Sequence, residues 1–385
     1  MHLLIISHKE AWLSKISNYN YETNGGFPFQ INAISTLFET STLICCLRNH
    51  SKPDNLTLLK GKNLSVAPLQ EPPFSGRLRQ ISILFWLPFQ LGKIHRSMKQ
   101  ADAVHALIPG DLGLIGIILS LLLKKRLIIR HCGTWGNQTT LADKFIYWLL
   151  LKIANGKNII MATGDDNELP EKSNPNIKWI FSTSLTKKKW ENLRLAKYWV
   201  PKNRLDIITV CRLTKGKNVE SLIRTMKILK KKIPVKLDIV GDGDQMDYLV
   251  SLSSDLGVED IVTFYGNCNQ KKVMELLSKN NIFVFPTKTK EGFPKALLEA
   301  MACGLPVIAS RVSTIPFLVE NKCGFIIDDY DPISISKVII QMISDPDNLK
   351  LMGYNARKIS RNYTIERWNH VISSRIDRIW TNELK

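Results

Sequence analysis

Several absences narrow what this chain can be. None of its seven cysteines (45, 46, 132, 211, 268, 303 and 323) falls in a CxxC pair or a His/Cys cluster. That argues against a disulfide framework or a structural zinc, and for a reducing cytosol. The longest apolar run, Leu112–Leu123, is about twelve residues, too short to span a bilayer and suited to a buried helix. The opening Met1–Ser7 has neither the length nor the basic flank of a signal peptide. There is no low-complexity tract, and no repeat beyond two similar α/β halves. Acidic residues are scarce: 34 Asp plus Glu face 53 Lys plus Arg, a net charge of +19.

What is present is globular. With 44% hydrophobic residues over 385, the chain can bury two ordinary cores. The cationic excess is uneven, 25 basic against 13 acidic residues (+12) in 1–200 and 28 against 21 (+7) in 201–385. Such a surface favours polyanions: acidic lipid, phosphorylated small molecules or nucleic acid. No RNA- or DNA-binding motif is present and aromatics are not interleaved with the charge runs, so nucleic acid is not expected as a partner.

Alternation of short apolar strands with helical stretches runs the whole length. Leu3–Ile6, Thr42–Leu47, Ala103–Leu107, Arg126–Ile129 and Asn158–Ala162 read as strands, with Ile31–Phe38 as a helix after the Gly25–Gly26 loop. Arg77–Gln100 places Phe85, Trp86 and Phe89 between basic ends. It reads either as a core helix with solvated ends or as a patch that enters anionic lipid. The Lys-rich stretch 181–203 reads as a linker. Beyond it, strands at Asp206–Cys211, Lys236–Val240 and Ile261–Tyr265 alternate with helices. The expectation is an α/β protein of two doubly wound, Rossmann-like domains facing across a cleft. Residues 1–200 form the first, joined by a C-terminal helix (362–385), and 201–361 the second.

Phe285–Ser310 is the most informative stretch: strand, Gly/Pro loop, helix, glycine stop, strand. Its helix, Ala296–Cys303, is apolar on nearly every side except at Glu299. A carboxylate in apolar surroundings needs a partner, which is either Lys295 four residues earlier or a ligand. Glu291 precedes it in a loop with Gly292, Phe293 and Pro294, where N–H groups at a helix start suit an anion. In Asp206–Leu222 a strand runs into Arg212 and Lys217 before the next helix. Two cations there can clamp a diphosphate, or simply be solvated.

The combination of CRLTKGKNVESL (211–222), LDIVGDGD (237–244), VTFYGN (262–267) and EGFPKALLEAMACGLPVIAS (291–310) resembles the group-1, family-4 glycosyltransferases. Those are retaining, metal-independent enzymes of the GT-B architecture that use nucleotide-sugar donors. The resemblance covers nearly all of the second half. In the first half it rests on Gly25–Gly26, AVHAL (103–107) and IIRHCGTWGN (128–137).

The resemblance implies roles. Arg212 and Lys217 would hold the donor diphosphate as leaving group, and Glu291 would face the transferred sugar. Glu299 would meet the ribose hydroxyls, with Gly292, Phe293 and Pro294 lining the donor. Gly241 would lie in the donor site, and Gly266 and Asn267 would border the base. Gly25, Gly26 and His131 would belong to the acceptor or phosphate side, although the family often carries His where Cys132 falls, one residue later. The interdomain stretch, often like IPNGVD in the family, is IFSTSLT (180–186) here. Asp242-Gly-Asp244 reads as a tight turn rather than a metal-binding DxD. No cofactor or metal is expected. The expected partners are a nucleotide-sugar, a glycan or lipid-linked acceptor, and an anionic membrane surface at the cytoplasmic face. Surface polysaccharide assembly follows as the expected setting. A GT-B-type epimerase or phosphorylase, and a non-catalytic basic binding protein, are the alternatives.

Overall fold

The structure, a computed structural model, describes the chain except residues 15–20, 49–51, 54–55, 62, 73–75, 137, 165–168, 291, 320–321 and 381–385; for 76–81 and 84 it describes the backbone alone. Two compact units emerge, Met1–Ser184 with Ile365–Lys385, and Leu185–Thr364.

In the first unit the sheet's parallel strands run in the order Ile177–Trp179, Ile159–Ala162, Arg126–His131, Ala103–Ile108, His2–Leu13, Thr40–Leu47, with the short Leu64–Val66 and Leu69–Gln70 both pairing parallel to Thr40–Leu47 at its outer edge. Ala103–Ile108 and Ile159–Ala162 are buried at every position and Arg126–His131 at all but its two ends, as a sheet covered on both faces requires. The order reverses between His2–Leu13 and Ala103–Ile108, the place where a doubly wound sheet opens a crevice at its carboxyl ends. The first strand runs well past the expected Leu3–Ile6, through an irregularity between Ile6 and Glu10, and the first helix, Phe27–Ser35, starts earlier than expected because Gly26 caps it and Pro28 suits its first turn.

Two apolar helices differ from their sequence reading. In Gly76–Gln100, Trp86 is buried and its Nε1 donates to the Gln70 carbonyl (3.0 Å), whereas Phe85 and Phe89 are 72% and 85% exposed. The aromatic trio therefore splits between core and solvent. The Asp111–Leu122 helix buries Leu112 and Ile117 but leaves Ile118, Leu121 and Leu122 exposed, so it is buried on one face only. Among the described residues no helix is long and apolar enough to cross a membrane.

The second unit holds six parallel strands in the order Val262–Phe264, Val235–Val240, Leu205–Val210, Ile282–Phe285, Val307–Ser310, Gly324–Ile327. Numbered along the chain this is 3-2-1-4-5-6, the dinucleotide-fold order, with its reversal between Leu205–Val210 and Ile282–Phe285. Its core is aliphatic and continuous, from Leu205 and Ile207 through Leu222 and Met226 to Ile335 and Met352.

The boundary falls at 184/185 rather than 200/201, and a tertiary contact set explains why. The Arg357 guanidinium lies 3.7 Å from the Trp190 ring centroid and donates to the Trp190 and Ala302 carbonyls, while Trp190 Nε1 donates to Ser360 Oγ (2.9 Å). Asn281 Nδ2 also donates to the Lys197 carbonyl (3.0 Å). The expected linker is thus packed onto the second unit. The closing helix, Ile365–Trp380, belongs to the first unit, burying Ile365, Trp368, Ile372 and Trp380 there.

Candidate functional site

The site is built at the switch point of the second sheet, where loops leaving the carboxyl ends of adjacent strands are laced together. After Leu205–Val210 the chain passes through Arg212 to Lys217. Leu213 N donates to the Asp242 carbonyl (2.9 Å), and Gln245 N donates to the Leu213 carbonyl (3.0 Å). Gly241 N donates to the Gly266 carbonyl (2.9 Å). These approaches leave no space for side chains. A Cβ on Gly241, at φ +134°, would lie 1.8 Å from the Cys211 carbonyl oxygen, and one on Gly243 would lie 2.3 Å from that of Leu213. The Gly-Asp-Gly turn is therefore a packing requirement, and Asp242 Oδ1 accepts the Gly243 N–H (2.7 Å) within it.

The loop after Ile282–Phe285 joins the same cluster. Lys288 N donates to the Gly216 carbonyl (2.8 Å), the buried Thr287 hydroxyl approaches the same oxygen (3.4 Å), and Lys217 Nζ sits 5.6 Å from the Phe285 ring centroid. Lys217 is thereby held half-buried over an aromatic face, while Arg212 is exposed beside it. On the helix side of this loop a cavity of about 420 Å³ is lined by Thr214, Lys215, Gly216, Gln245 and Lys288; Arg212, Lys217 and Glu299 do not line it.

Pro294, which has no side-chain donor or acceptor, stands at the N-cap of the Lys295–Ala302 helix. Phe293 is buried and packs 5.9 Å from Tyr363, which anchors this helix start in the core. Glu291 lies outside the described residues.

Glu299 is half-buried, and a hydrogen bond reaches it from Gln270, which is neither of the two partners, Lys295 or a ligand, that the sequence suggests. Gln270 Nε2 donates to Glu299 Oε1 (2.8 Å), and Lys189 Nζ donates to Gln270 Oε1 (2.8 Å). Burial holds the Glu299 carboxyl above the usual carboxylate range, opposed by the Gln270 bond and by the nearby Lys295 and Lys189 charges. Gln270 opens its own helix, Gln270–Leu277, where Asn269 Oδ1 caps Lys272 N (2.9 Å). The carboxylate is therefore backed by a fixed relay reaching a cation, which sequence could not show because Lys189 and Gln270 are distant in the chain.

The structure thus brings Arg212, Lys217, Gly241, Gly266 and Gly292–Pro294 onto one set of carboxyl-end loops, with Glu299 tied through Gln270 to the loop holding Gly266 and the exposed Asn267. Gly25, Gly26 and His131 belong to the first unit. His131 ends its strand half-buried, with its ring edge-on to Trp135 (5.7 Å) and burial lowering its pKa. His8 went unremarked in the sequence. Its ring fills the place a Cβ on Gly110 would take, 2.1 Å from Nδ1, just beyond the last residue pair (Ile6 with Ala106) of the two strands that flank the first sheet's switch point. Only the strand order picks it out.

Residues 194–359 match the model of the family Glycosyl transferases group 1, so the second unit carries a group 1 glycosyltransferase domain. Curated relatives align over the same half. The N-acetyl-alpha-D-glucosaminyl L-malate synthase of Bacillus anthracis is 30% identical over 162 residues, 42% of this chain and 42% of that protein. The putative colanic acid biosynthesis glycosyltransferase WcaL of Escherichia coli K12 is 30% identical over 183 residues, 45% of each. The chain thus spans less than half the length of these curated relatives. Solved structures match end to end. Sucrose-phosphate synthase from Thermosynechococcus elongatus superposes with a TM-score of 0.71 at 16% identity, covering 99% of both chains. Anabaena HepE in complex with UDP and glucose gives 0.67 at 18%, covering 98% and 99%. At those identities the likeness shows the fold, and the fold is GT-B.

Proposed function

We propose that this chain is a retaining glycosyltransferase that moves a sugar from a nucleotide-sugar to a glycan or lipid-linked saccharide in surface polysaccharide assembly. The observation that carries the reading is the placement of Arg212 and Lys217 on the switch-point loop, with the relay-backed Glu299 tied to the loop beside it. The donor diphosphate lies against Arg212 and Lys217, which stabilise charge as it develops on the leaving group. Glu299 accepts hydrogen bonds from ribose hydroxyls, its orientation held by Gln270. Gly266 and Asn267 border the base, and the N–H groups of Gly292 and Phe293 meet the sugar or phosphate. Glu291 faces the transferred sugar.

In the reaction the bond from the anomeric carbon to the phosphate oxygen breaks, and an acceptor oxygen bonds to that carbon on the same face. The acceptor proton passes to the departing phosphate, so the protein needs no dedicated base, and the proposal invokes no metal. Gly25, Gly26 and His131 are assigned to the acceptor side. The HepE complex holds UDP, and a relative from Mycolicibacterium smegmatis is named as GDP-mannose-dependent. UDP- and GDP-sugars are therefore the first donors to try. The exposed Phe85 and Phe89 support a further assignment, to the cytosolic face of an anionic membrane.

A thermal-shift screen of UDP-, GDP- and ADP-sugars tests the reading, because a bound donor stabilises by mass action. One donor should raise the melting temperature, and Arg212→Ala should lose most of that rise. Sugar transfer to an acceptor, as against epimerisation of donor alone or phosphate-dependent release, then separates transferase from epimerase or phosphorylase. Sedimentation with anionic vesicles at low salt, lost in Phe85→Ser/Phe89→Ser, tests the membrane assignment.

A further inference from the structure

The first unit carries a second concave feature, at the opposite edge of its sheet from the crevice. A cavity of about 830 Å³ opens between the closing helix and the amino ends of Ile159–Ala162 and Ile177–Trp179. Ligands of doubly wound sheets bind at carboxyl ends, so this cavity is separate from the crevice of its own sheet.

Its lining follows from the phase of one helix. Ile365, Trp368, Ile372 and Trp380 turn into the core, where Trp368 is fully buried and the Arg130 guanidinium lies 5.2 Å from its ring centroid. Asn369 Nδ2 adds a hydrogen bond to Thr36 Oγ1 (3.2 Å). With that stripe locked, the neighbouring face of the helix lines the cavity, and it is rich in basic residues: Arg367, His370, Arg375 and Arg378, with Val371 and Ser374 between them. Lys178 approaches from the sheet side.

The cavity has no Asp or Glu among its described lining residues. Glu171 is the acid that acts on Arg375 through charge alone: its Oε1 accepts the Trp179 backbone N–H (2.9 Å), and its Oε2 is buried without a hydrogen bond. Arg375 Nε is buried without a hydrogen-bond partner. Lys178, Arg375 and Arg378, permanent cations lining one concavity, repel each other, and a desolvated guanidinium N–H without an acceptor is a further cost. One ligand chemistry relieves both. Guanidinium forks match phosphate oxygens two at a time, and a bounded cavity of this size suits a small anion rather than a nucleic-acid strand, which follows an extended groove.

We infer that this cavity, lined by Lys178, Arg367, Arg375 and Arg378, is a second binding site, for a multivalent phosphate anion. The ligand is a diphosphate- or polyphosphate-bearing small molecule, or the same phosphate chemistry on a lipid headgroup.

Calorimetry with tripolyphosphate on the full chain tests this, using protein that carries Arg212→Ala and Lys217→Ala so that the proposed donor site does not contribute. One binding event is expected, weakened by salt. Adding Arg375→Gln and Arg378→Gln should lower the affinity about tenfold or more, the size expected for losing charge-assisted bonds. Arg375→Lys/Arg378→Lys should recover part of it, which a folding defect would not allow. Vesicles containing phosphatidic acid, sedimented with the same proteins, identify the source. Loss both on vesicles and in solution assigns a lipid-borne phosphate, and loss in solution alone assigns a free one. The inference fails if the glutamine pair leaves tripolyphosphate binding unchanged, whatever happens on vesicles, or if sulfate binds as tightly as tripolyphosphate.

Discussion

Gln270 donates a 2.8 Å hydrogen bond to Glu299 and accepts one of the same length from Lys189, so the carboxylate at the candidate donor site is oriented from behind by a neutral amide rather than neutralised by a cation. A direct ion pair would occupy the carboxylate with the protein's own cation. An amide fixes its direction while preserving its charge for a ligand.

Glu299 should therefore show a trade of stability against function. Its folded pKa is raised by burial, so the folded state holds a proton more tightly than the unfolded chain. The stability associated with the protonated form is full below the unfolded pKa and is lost as pH rises through the folded pKa. Glu299→Gln, which stays neutral, should melt about 2–4 °C above the parent near neutral pH, a gain of about 1 kcal/mol. The gap should close in acid. Calorimetric melting across pH checks this, and the same variant should lose donor-induced stabilisation.

Gln270→Ala should weaken donor binding with little effect on the fold, because the residue opens its helix and is not among the residues that helix buries. The expected signature is a raised donor KM, about tenfold as befits a lost charge-assisted bond, with the pH at which donor binding appears shifted upward. An unchanged pH profile would place Glu299 outside donor binding.

Arg212→Ala and Lys217→Ala should each reduce kcat/KM by about 10²–10³-fold, the range for removing one donor to developing charge. Lys217 is half-buried over Phe285, so Lys217→Arg should not restore activity as well as Arg212→Lys does. Steady-state kinetics on the four variants decides.

Two glycines of the second unit give a paired test of the lacing. At Gly257, φ +64° with nothing within 4 Å of a built Cβ, alanine should cost only the left-handed backbone penalty of about 1–2 kcal/mol. At Gly241 the same change drives a methyl into the Cys211 carbonyl. It should cost more than about 3 kcal/mol and displace the Arg212 loop. Denaturant midpoints and residual donor binding report the two effects separately.

Arg357→Ala should loosen the segment around Trp190 from the second unit, since one guanidinium stacks on that ring and donates to two carbonyls. Limited proteolysis should cut within 185–200 faster in the variant than in the parent.

Much of this was legible in the chain because α/β periodicity is a local property. Apolar strands of the right length, glycines after their ends and an isolated carboxylate in an apolar helix are each visible within about ten residues. The Gly-Asp-Gly turn could be read as a turn, but not why it must be glycine, since the atoms it would strike belong to Cys211 and Leu213. The split of Phe85, Trp86 and Phe89 was illegible for a similar reason: one Nε1–H bond to the Gln70 carbonyl decides which ring turns inward.

By itself, then, the sequence determined two α/β units, the strand-end positions of Arg212 and Lys217, and a Glu299 that required a partner. Tertiary structure alone decided who the partner is, where the domain boundary lies and which stripe of the closing helix faces the basic cavity. The reason is physical. Strand and helix periods are written in neighbouring residues, whereas the lacing of switch-point loops, the Lys189–Gln270–Glu299 relay and the pairing of Trp190 with Arg357 join residues far apart in the chain.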